Sequence, residues 1–219
     1  MGAATWRVER LEGSARDIHA RPLPDVLEPT VWVVTPTDRS VVLGSTQRHE
    51  DVDAAAAERR GLAIARRRSG GGAVLVTPGA LVWVDVILPR THPAWVDDIG
   101  RSSVWMGERW AAALSSLGIE VDLVQPPMPA DDLARVVCFV GRGPGEILIE
   151  GAKVVGISQR RTRDAARFQC AALLSWEPEP LIDVLRVRST VDADRVRAAG
   201  RGLPVAADRL VDALIAALD

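Results

Sequence analysis

Residues 145–161 read GEILIEGAKVVGISQRR. The runs ILI and KVVGI are aliphatic and β-branched, and Gly151 stands between them, so the stretch predicts two strands joined by a tight turn. Lys153, inside it, is the only lysine of the 219-residue chain; apart from histidine, every other basic side chain is arginine. A guanidinium stays charged and forks onto planar anions, whereas an ammonium is a compact, flexible donor sensitive to burial. Either arginine would fail at position 153, or the lone lysine is chance or guards a strand edge against sheet-to-sheet pairing.

The same strand-and-turn texture extends outward. From VVCFVG (136–141) to Leu174, strand runs alternate with glycine turns, and ALVWVDVIL (80–88) is a long apolar strand candidate. TVWVV (30–34) and SVVLG (40–44) flank the turn signal PTDR and predict a hairpin, while IEVDLV (119–124) is a short strand. EDVDAAAAERRG (50–61) reads as a helix with acidic residues at its start and Gly61 at its C-terminal cap. HPAWVDDIGRSSVWMGERWAAALSSLG (92–118) holds the longest helical pattern. Ile99, Met106, Trp110, Leu114 and Leu117 share its buried stripe, and Gly118 ends it. LPVAADRLVDALIAAL (203–218) closes the chain as an amphipathic helix. Elements mixed without a regular βαβ repeat predict an α+β fold, a mixed and mostly antiparallel sheet with flanking helices.

With 47% hydrophobic and 26% charged residues the chain can bury a substantial core. A formal net charge of −2 gives no bulk attraction to nucleic acid or an anionic membrane, so phosphate recognition would need a local cluster such as Arg66, Arg67 and Arg68. MGAATWRVER places charges where a signal peptide needs an apolar core, and no apolar run approaches the ~20 residues of a membrane span. A cytoplasmic protein is expected. Cys138 and Cys170 lack CxxC or His-rich spacing, so no metal site is expected, and each is either buried filler or a reactive thiol.

In RRRSGGGAV (66–74) three successive glycines join two predicted strands. Glycine permits positive φ and lets a ligand approach main-chain N–H groups. The spacing is not that of a Walker loop, and the run does not open a helix as a dinucleotide fingerprint does. A tight strand connection explains the motif as well as a ligand cradle does. Arg66, Arg67 and Arg68 before it favour an anion or acyl carbonyl near the loop.

VVLGSTQ (41–47) with DVD (51–53), then RRRSGGGAV, then GEILIEGAKVVGISQRR, resemble in order and spacing the motifs of the lipoate-protein ligase and octanoyltransferase family, with its biotin/lipoate A/B protein ligase catalytic-domain fold. The resemblance covers Trp6 to Leu174 and implies one catalytic domain over 1–219, with no C-terminal accessory domain. It implies that Lys153 donates a hydrogen bond to the acyl carbonyl or to an acyl-adenylate phosphate. Arg68, Ser69, Gly70, Gly71, Gly72, Ala73, Gln47, Gly156 and Ser158 would bind the substrate, an octanoyl or lipoyl group.

The motif layout is closest to the cysteine-dependent octanoyltransferase branch, whose cysteine lies in a Cys-Phe dipeptide shortly before the Gly-x-Lys strand; Cys138 and Phe139 match it. That branch implies acyl carrier protein as donor. It implies lipoyl domains of 2-oxoacid dehydrogenases or the glycine cleavage carrier protein as acceptors, and no tightly bound cofactor. A thiolate beside an ammonium is favoured, and its thioester can still acylate an amine. Cysteine in VVCFV is equally at home as buried packing. The chain departs from the family where Leu75, Val76 and Thr77 replace a Tyr-His-Asp segment. It departs again at Gly156, Ile157 and Ser158 in place of Gly-Ser-Ala, and at Gln169, Cys170, Ala171 and Ala172 in place of Gln-His-Gly-Ser. His19, His49 and His92 lie outside the motifs, none placed as a base for Cys138, and Cys170 reads as packing. Gln47 would look the same as a turn cap. Two alternatives stand beside the transferase: an ATP- and Mg2+-dependent lipoate-protein ligase core needing a separate accessory domain, and a non-catalytic acyl- or cofactor-binding relative.

Overall fold

The computed structural model describes residues 6–127, 131–186 and 192–219. The first five residues of the charged N-terminal stretch lie outside them. The elements run β1 (Arg7–Gly13), α1 (Ala15–Ala20), β2 (Thr30–Pro36), β3 (Ser40–Leu43), α2 (Ala54–Arg59), β4 (Ala63–Arg66), β5 (Val74–Val76), β6 (Leu81–Pro89), α3 (Ile99–Ser116), β7 (Asp122–Leu123), β8 (Ile147–Ile149), β9 (Ala152–Arg161), β10 (Ala165–Leu173), α4 (Glu179–Val184), α5 (Ala193–Ala199) and α6 (Ala207–Leu218).

The apolar run at 80–88 organises the fold as β6. Every residue of this strand is buried, because β2 and β10 pair with its two edges and other layers cover both faces. It is central to a seven-stranded sheet ordered β1-β2-β6-β10-β9-β8-β7, in which β1–β2 is parallel and the other pairs are antiparallel. A second sheet, β4-β3-β5, lies against it. The predicted α+β class with mostly antiparallel pairing is the class observed.

Three apolar layers result. On one face of the large sheet, Val84, Val86 and Phe168 pack with Met106, Trp110 and Leu114 of α3 and Leu210 and Leu214 of α6. Between the sheets, Trp32, Trp83 and Leu81 meet Val42, Ala65 and Val76 together with Ile18 of α1. Beyond the small sheet, Val41 and Leu43 bury Ala57, Leu181, Val184 and Val196 of the short helices. β6 alternates between the first two layers, as a period of two requires.

The structure corrects several local readings. β2 and β3 form no hairpin and belong to different sheets, because both edges of β2 are taken by β1 and β6. In the connection, Asp38 accepts from Ala15 N–H at 2.8 Å and from Ser40 Oγ at 2.7 Å, tying the turn to α1. The long helix begins only at Ile99, where Asp98 caps it by accepting from Arg101 N–H at 2.7 Å. Met106, Trp110 and Leu114 form the buried stripe, but Ile99, the first residue of the helix, is 59% exposed. VVCFV is not a strand; Cys138–Val140 is a single 3-10 turn.

One close approach fixes the hairpin of β8 and β9 against α3. A Cβ on Gly145, where φ is +83°, would lie 1.9 Å from the Ser103 carbonyl oxygen. Gly118 has a similar φ of +77° and open space around it. Gly118→Ala should therefore cost only the backbone strain, about 1 kcal/mol, whereas Gly145→Ala adds overpacking for a total of about 3 kcal/mol. Urea unfolding of the two variants checks this, and equal losses would show that α3 yields at no cost.

Candidate active site

A narrow cleft of about 500 Å3, counting its open mouth, lies between the two sheets. Leu81 and Trp83 of β6, Gly156 and Ser158 of β9 and Ala171 of β10 form one wall, and Val42, Val74 and Val76 of the small sheet form the other. Gly156 leaves room for Phe139, whose ring edge would lie 3.4 Å from a Cβ there. His19, Arg67, Gln169 and Cys138 bring the polar atoms.

The glycine loop closes the small-sheet side. Ala65, Arg67 and Ser69 are buried and alternate with exposed Arg66, Arg68 and Gly70, so the arginine that enters the protein is the second of the three. Arg67, 4% exposed, donates to the carbonyls of Val42 at 3.2 Å and of Gly70 and Gly72 at 2.8 Å each. A buried cation thus holds the loop by its backbone oxygens. Ser69 Oγ reaches Ser158 Oγ at 3.0 Å and donates to Gln169 Oε1 at 3.1 Å, fastening the loop to the large sheet. Ala73 N–H donates to the Val136 carbonyl at 2.8 Å, and Cys138 N–H donates to the Ala73 carbonyl at 3.0 Å, a short parallel bridge. A Cβ on Gly72 would lie 2.6 Å from Val137 N, so this bridge needs glycine beside it.

Cys138 heads its 3-10 turn, half-buried at the cleft. A methyl on Gly71 would lie 3.7 Å from its Sγ, which measures how closely loop and thiol approach. Behind the turn stands Lys153, 1% exposed, donating to the Cys138 carbonyl at 2.8 Å and paired with Glu146 Oε2 at 2.7 Å. Its ammonium also lies 5.4 Å from the Phe139 ring centroid.

His19 enters the cleft from α1, stacked 4.6 Å from Trp83 between ring centroids. Burial, reinforced by the charges of Arg167 and Arg67, pushes its imidazole down to about 3. It is neutral at neutral pH. Gln169 uses its carbonyl for Ser69 and sets Nε2 2.9 Å from His19 Nδ1, so Nδ1 accepts and the ring proton sits on Nε2. Below, Arg167 donates to Asp85 Oδ2 at 2.5 and 2.8 Å and to the carbonyls of Ile18 at 2.9 Å and Arg21 at 3.0 Å, anchoring α1. Burial pushes the Asp85 carboxyl up, against the pull of Arg167 and Trp83. Burial likewise pushes the Cys170 thiol up to about 12, which leaves it inert.

A family model described as the lipoyl protein ligase A/B catalytic domain matches residues 19–207. The chain belongs to this family. The octanoyltransferase LipM of Kyrpidia tusciae is 28% identical over 179 residues, covering 75% of this chain and 65% of its own. That of Carboxydothermus hydrogenoformans is 27% identical over 171 residues, covering 78% and 62%. The chain thus spans a little under two thirds of the length of these curated relatives. A lipoate-protein ligase A solved with bound ATP is 23% identical, with a TM-score of 0.72 over 96% of this chain and 83% of its own. A bi-partite lipoate protein ligase from Thermoplasma acidophilum is 21% identical, with a TM-score of 0.66 over 96% and 81%. At these identities the two structures show the fold.

Of the positions that resemblance to the lipoyl ligase family singles out, Cys138, Gly156 and Ser158 line the cleft, and Ser69 and Gly70 to Ala73 form the loop at its side. Arg68 is exposed and does not line it; Arg67 does. Gln47 accepts from Gly44 N–H at 3.0 Å and donates to the Val136 carbonyl at 3.2 Å, bracing the segment before Cys138 from outside the cleft. Lys153 stands behind the Cys138 turn and is not a lining residue. His49 is exposed and His92 packs on Trp6, whereas His19, outside the sequence motifs, lines the cleft, where it contacts Gln169 and Trp83. Nothing in its six-residue helix signals this, because the Arg167 anchor lies far along the chain. Period-two alternation from Ala65 could have picked out Arg67; Glu146 lies within GEILIEGAKVVGISQRR, but nothing in its spacing marks it as the partner of Lys153. Among the described residues no group of three His, Cys, Asp or Glu could hold a metal ion, and no helix is long and apolar enough to cross a membrane.

His19 also makes stability depend on acid. Its folded-state value lies below the unfolded 6.5, so the unfolded chain binds the proton first as pH falls, and stability present above pH 6.5 is lost on the way down toward about 3. Between pH 7 and pH 4 the native chain should lose about 3 kcal/mol more than His19→Gln, read from urea midpoints at each pH. Parallel pH profiles would remove His19 as the cause.

Proposed function

We propose that the chain is an acyltransferase that moves an octanoyl or lipoyl group through a thioester on Cys138 to a lysine of a lipoyl carrier domain. The observation that carries this reading is a half-buried cysteine lining an apolar cleft, with a buried ammonium donating to that residue's own carbonyl. The relatives named as octanoyltransferases support the acyl group and the reaction class.

In this reading the alkyl chain lies among Val42, Val74, Val76, Leu81 and Trp83, its carboxyl end toward Cys138 and the glycine loop. The Cys138 thiolate attacks the acyl thioester presented by acyl carrier protein. A new S–C bond forms, and the carrier's thiolate leaves and takes up a proton. The acceptor's lysine amine then attacks the acyl–Cys138 thioester, the amide forms, and the Cys138 thiol is regenerated. Lys153 uses two of its three N–H groups on Glu146 and Cys138, which leaves one to stabilise charge developing on the acyl oxygen. Acceptors would be lipoyl domains of 2-oxoacid dehydrogenases or the glycine cleavage carrier protein, in the cytoplasm, with no tightly bound cofactor. The ATP- and Mg2+-dependent ligase route is the competing outcome of the test.

Intact-mass spectrometry after mixing with octanoyl acyl carrier protein should show a hydroxylamine-labile octanoyl adduct. It should be absent from Cys138→Ala and form roughly 100-fold more slowly in Lys153→Ala. A native chain that stays unmodified, yet turns over ATP in the presence of lipoate, would sink the thioester route and favour the ligase.

A further inference from the structure

Glu146 is 3% exposed, in a setting where a carboxylate is costly unless fully partnered. Its Oε2 accepts from Lys153 Nζ at 2.7 Å and from Gly143 N–H at 2.6 Å, and Oε1 faces Ile157 N–H at 3.4 Å. The ammonium in turn donates to the Cys138 carbonyl at 2.8 Å. A continuous chain therefore runs from the Gly143 turn through Glu146 and Lys153 to the residue that bears the thiol. Its near end is fixed by the tight contact of Gly145 with α3, so the carboxylate has little freedom to follow a moving partner.

We propose that Glu146 is a positioning residue of this site: its carboxylate balances the Lys153 ammonium and aims it at the Cys138 carbonyl, holding the thiol-bearing turn from behind. The role in catalysis rests on the acyl-transfer reading; the ion pair does not. A carboxylate kept only for shape could be replaced by the isosteric amide, which would still accept through its oxygen but carries no charge. Among the described residues the neighbours offer Lys153 no substitute. Glu150 is exposed and paired with Arg201, and Asp131 is paired with Arg195 of α5. Arg142 reaches the Gly151 carbonyl, while on α3 Arg109 reaches the Ala217 carbonyl and Glu108 is exposed. The other polar contact of the ammonium, the Cys138 carbonyl, does not titrate.

Because the chain holds one lysine, protein grown with lysine labelled with 13C at Cε gives a single Lys153 resonance whose shift reports the ammonium's titration. In Glu146→Gln that titration should move to lower pH by about one unit or more, a tenfold or greater weakening of proton binding, since a buried ammonium without its counter-charge gives up its proton more easily. Glu146→Asp, with the charge set back by one methylene, should lie between the two. If Glu146→Gln does not fold, the Asp variant decides alone. Titrations that coincide with the native one would overturn the proposal. In the octanoylation assay, adduct formation by Glu146→Gln relative to native should fall as pH rises through the shifted titration, and a ratio independent of pH would overturn the positioning role. A native chain that forms no adduct would overturn the acyl-transfer reading and the role within it, while the titrations still judge the ion pair by itself.

Discussion

A buried cation is tolerated only when it is paired or hydrogen-bonded, and this constraint shapes the irregular parts of the molecule. Arg67, Lys153 and Arg167 are each at most 4% exposed. Arg67 donates to the carbonyls of the glycine loop and β3, Lys153 to Glu146 and the Cys138 carbonyl, and Arg167 to Asp85 and the end of α1. Each cation ties down a different segment bordering the cleft. Removing one partner of such a group leaves the other uncompensated, which is far more damaging than losing an exposed ion pair.

The cleft inherits its chemistry from that arrangement. Its walls come from regular strands and are apolar, whereas its polar atoms come from loops and a short helix that the buried charges hold in place. Ser69, Ser158, Gln169 and His19 form one connected polar line across it. Neutral His19 contributes a ring N–H rather than a charge, and the inert Cys170 leaves Cys138 as the accessible thiol.

Reading the residues in order revealed much of this. The β6 run, the buried stripe of Met106, Trp110 and Leu114, the stop at Gly118, and the strand pair around Lys153 follow from local periodicity and turn chemistry. The errors arise where partners lie far apart in sequence. The turn signal PTDR sits between strands of different sheets, because β1 and β6 compete for the edges of β2. Ile99 has the right spacing for the stripe and still faces water at the first position of the helix.

The sequence by itself determined the α+β class, the resemblance to a family, and the pairing of a glycine run with a single lysine and a Cys-Phe dipeptide, since these depend on short-range spacing and residue chemistry. Only the tertiary structure decided that Arg67 and not Arg68 turns inward, that His19 joins the cleft, and that Lys153 stands behind Cys138 on Glu146. Those outcomes are set by contacts such as Arg167 to Ile18, 149 residues apart, where burial forces charges to find whatever acceptor the fold brings near.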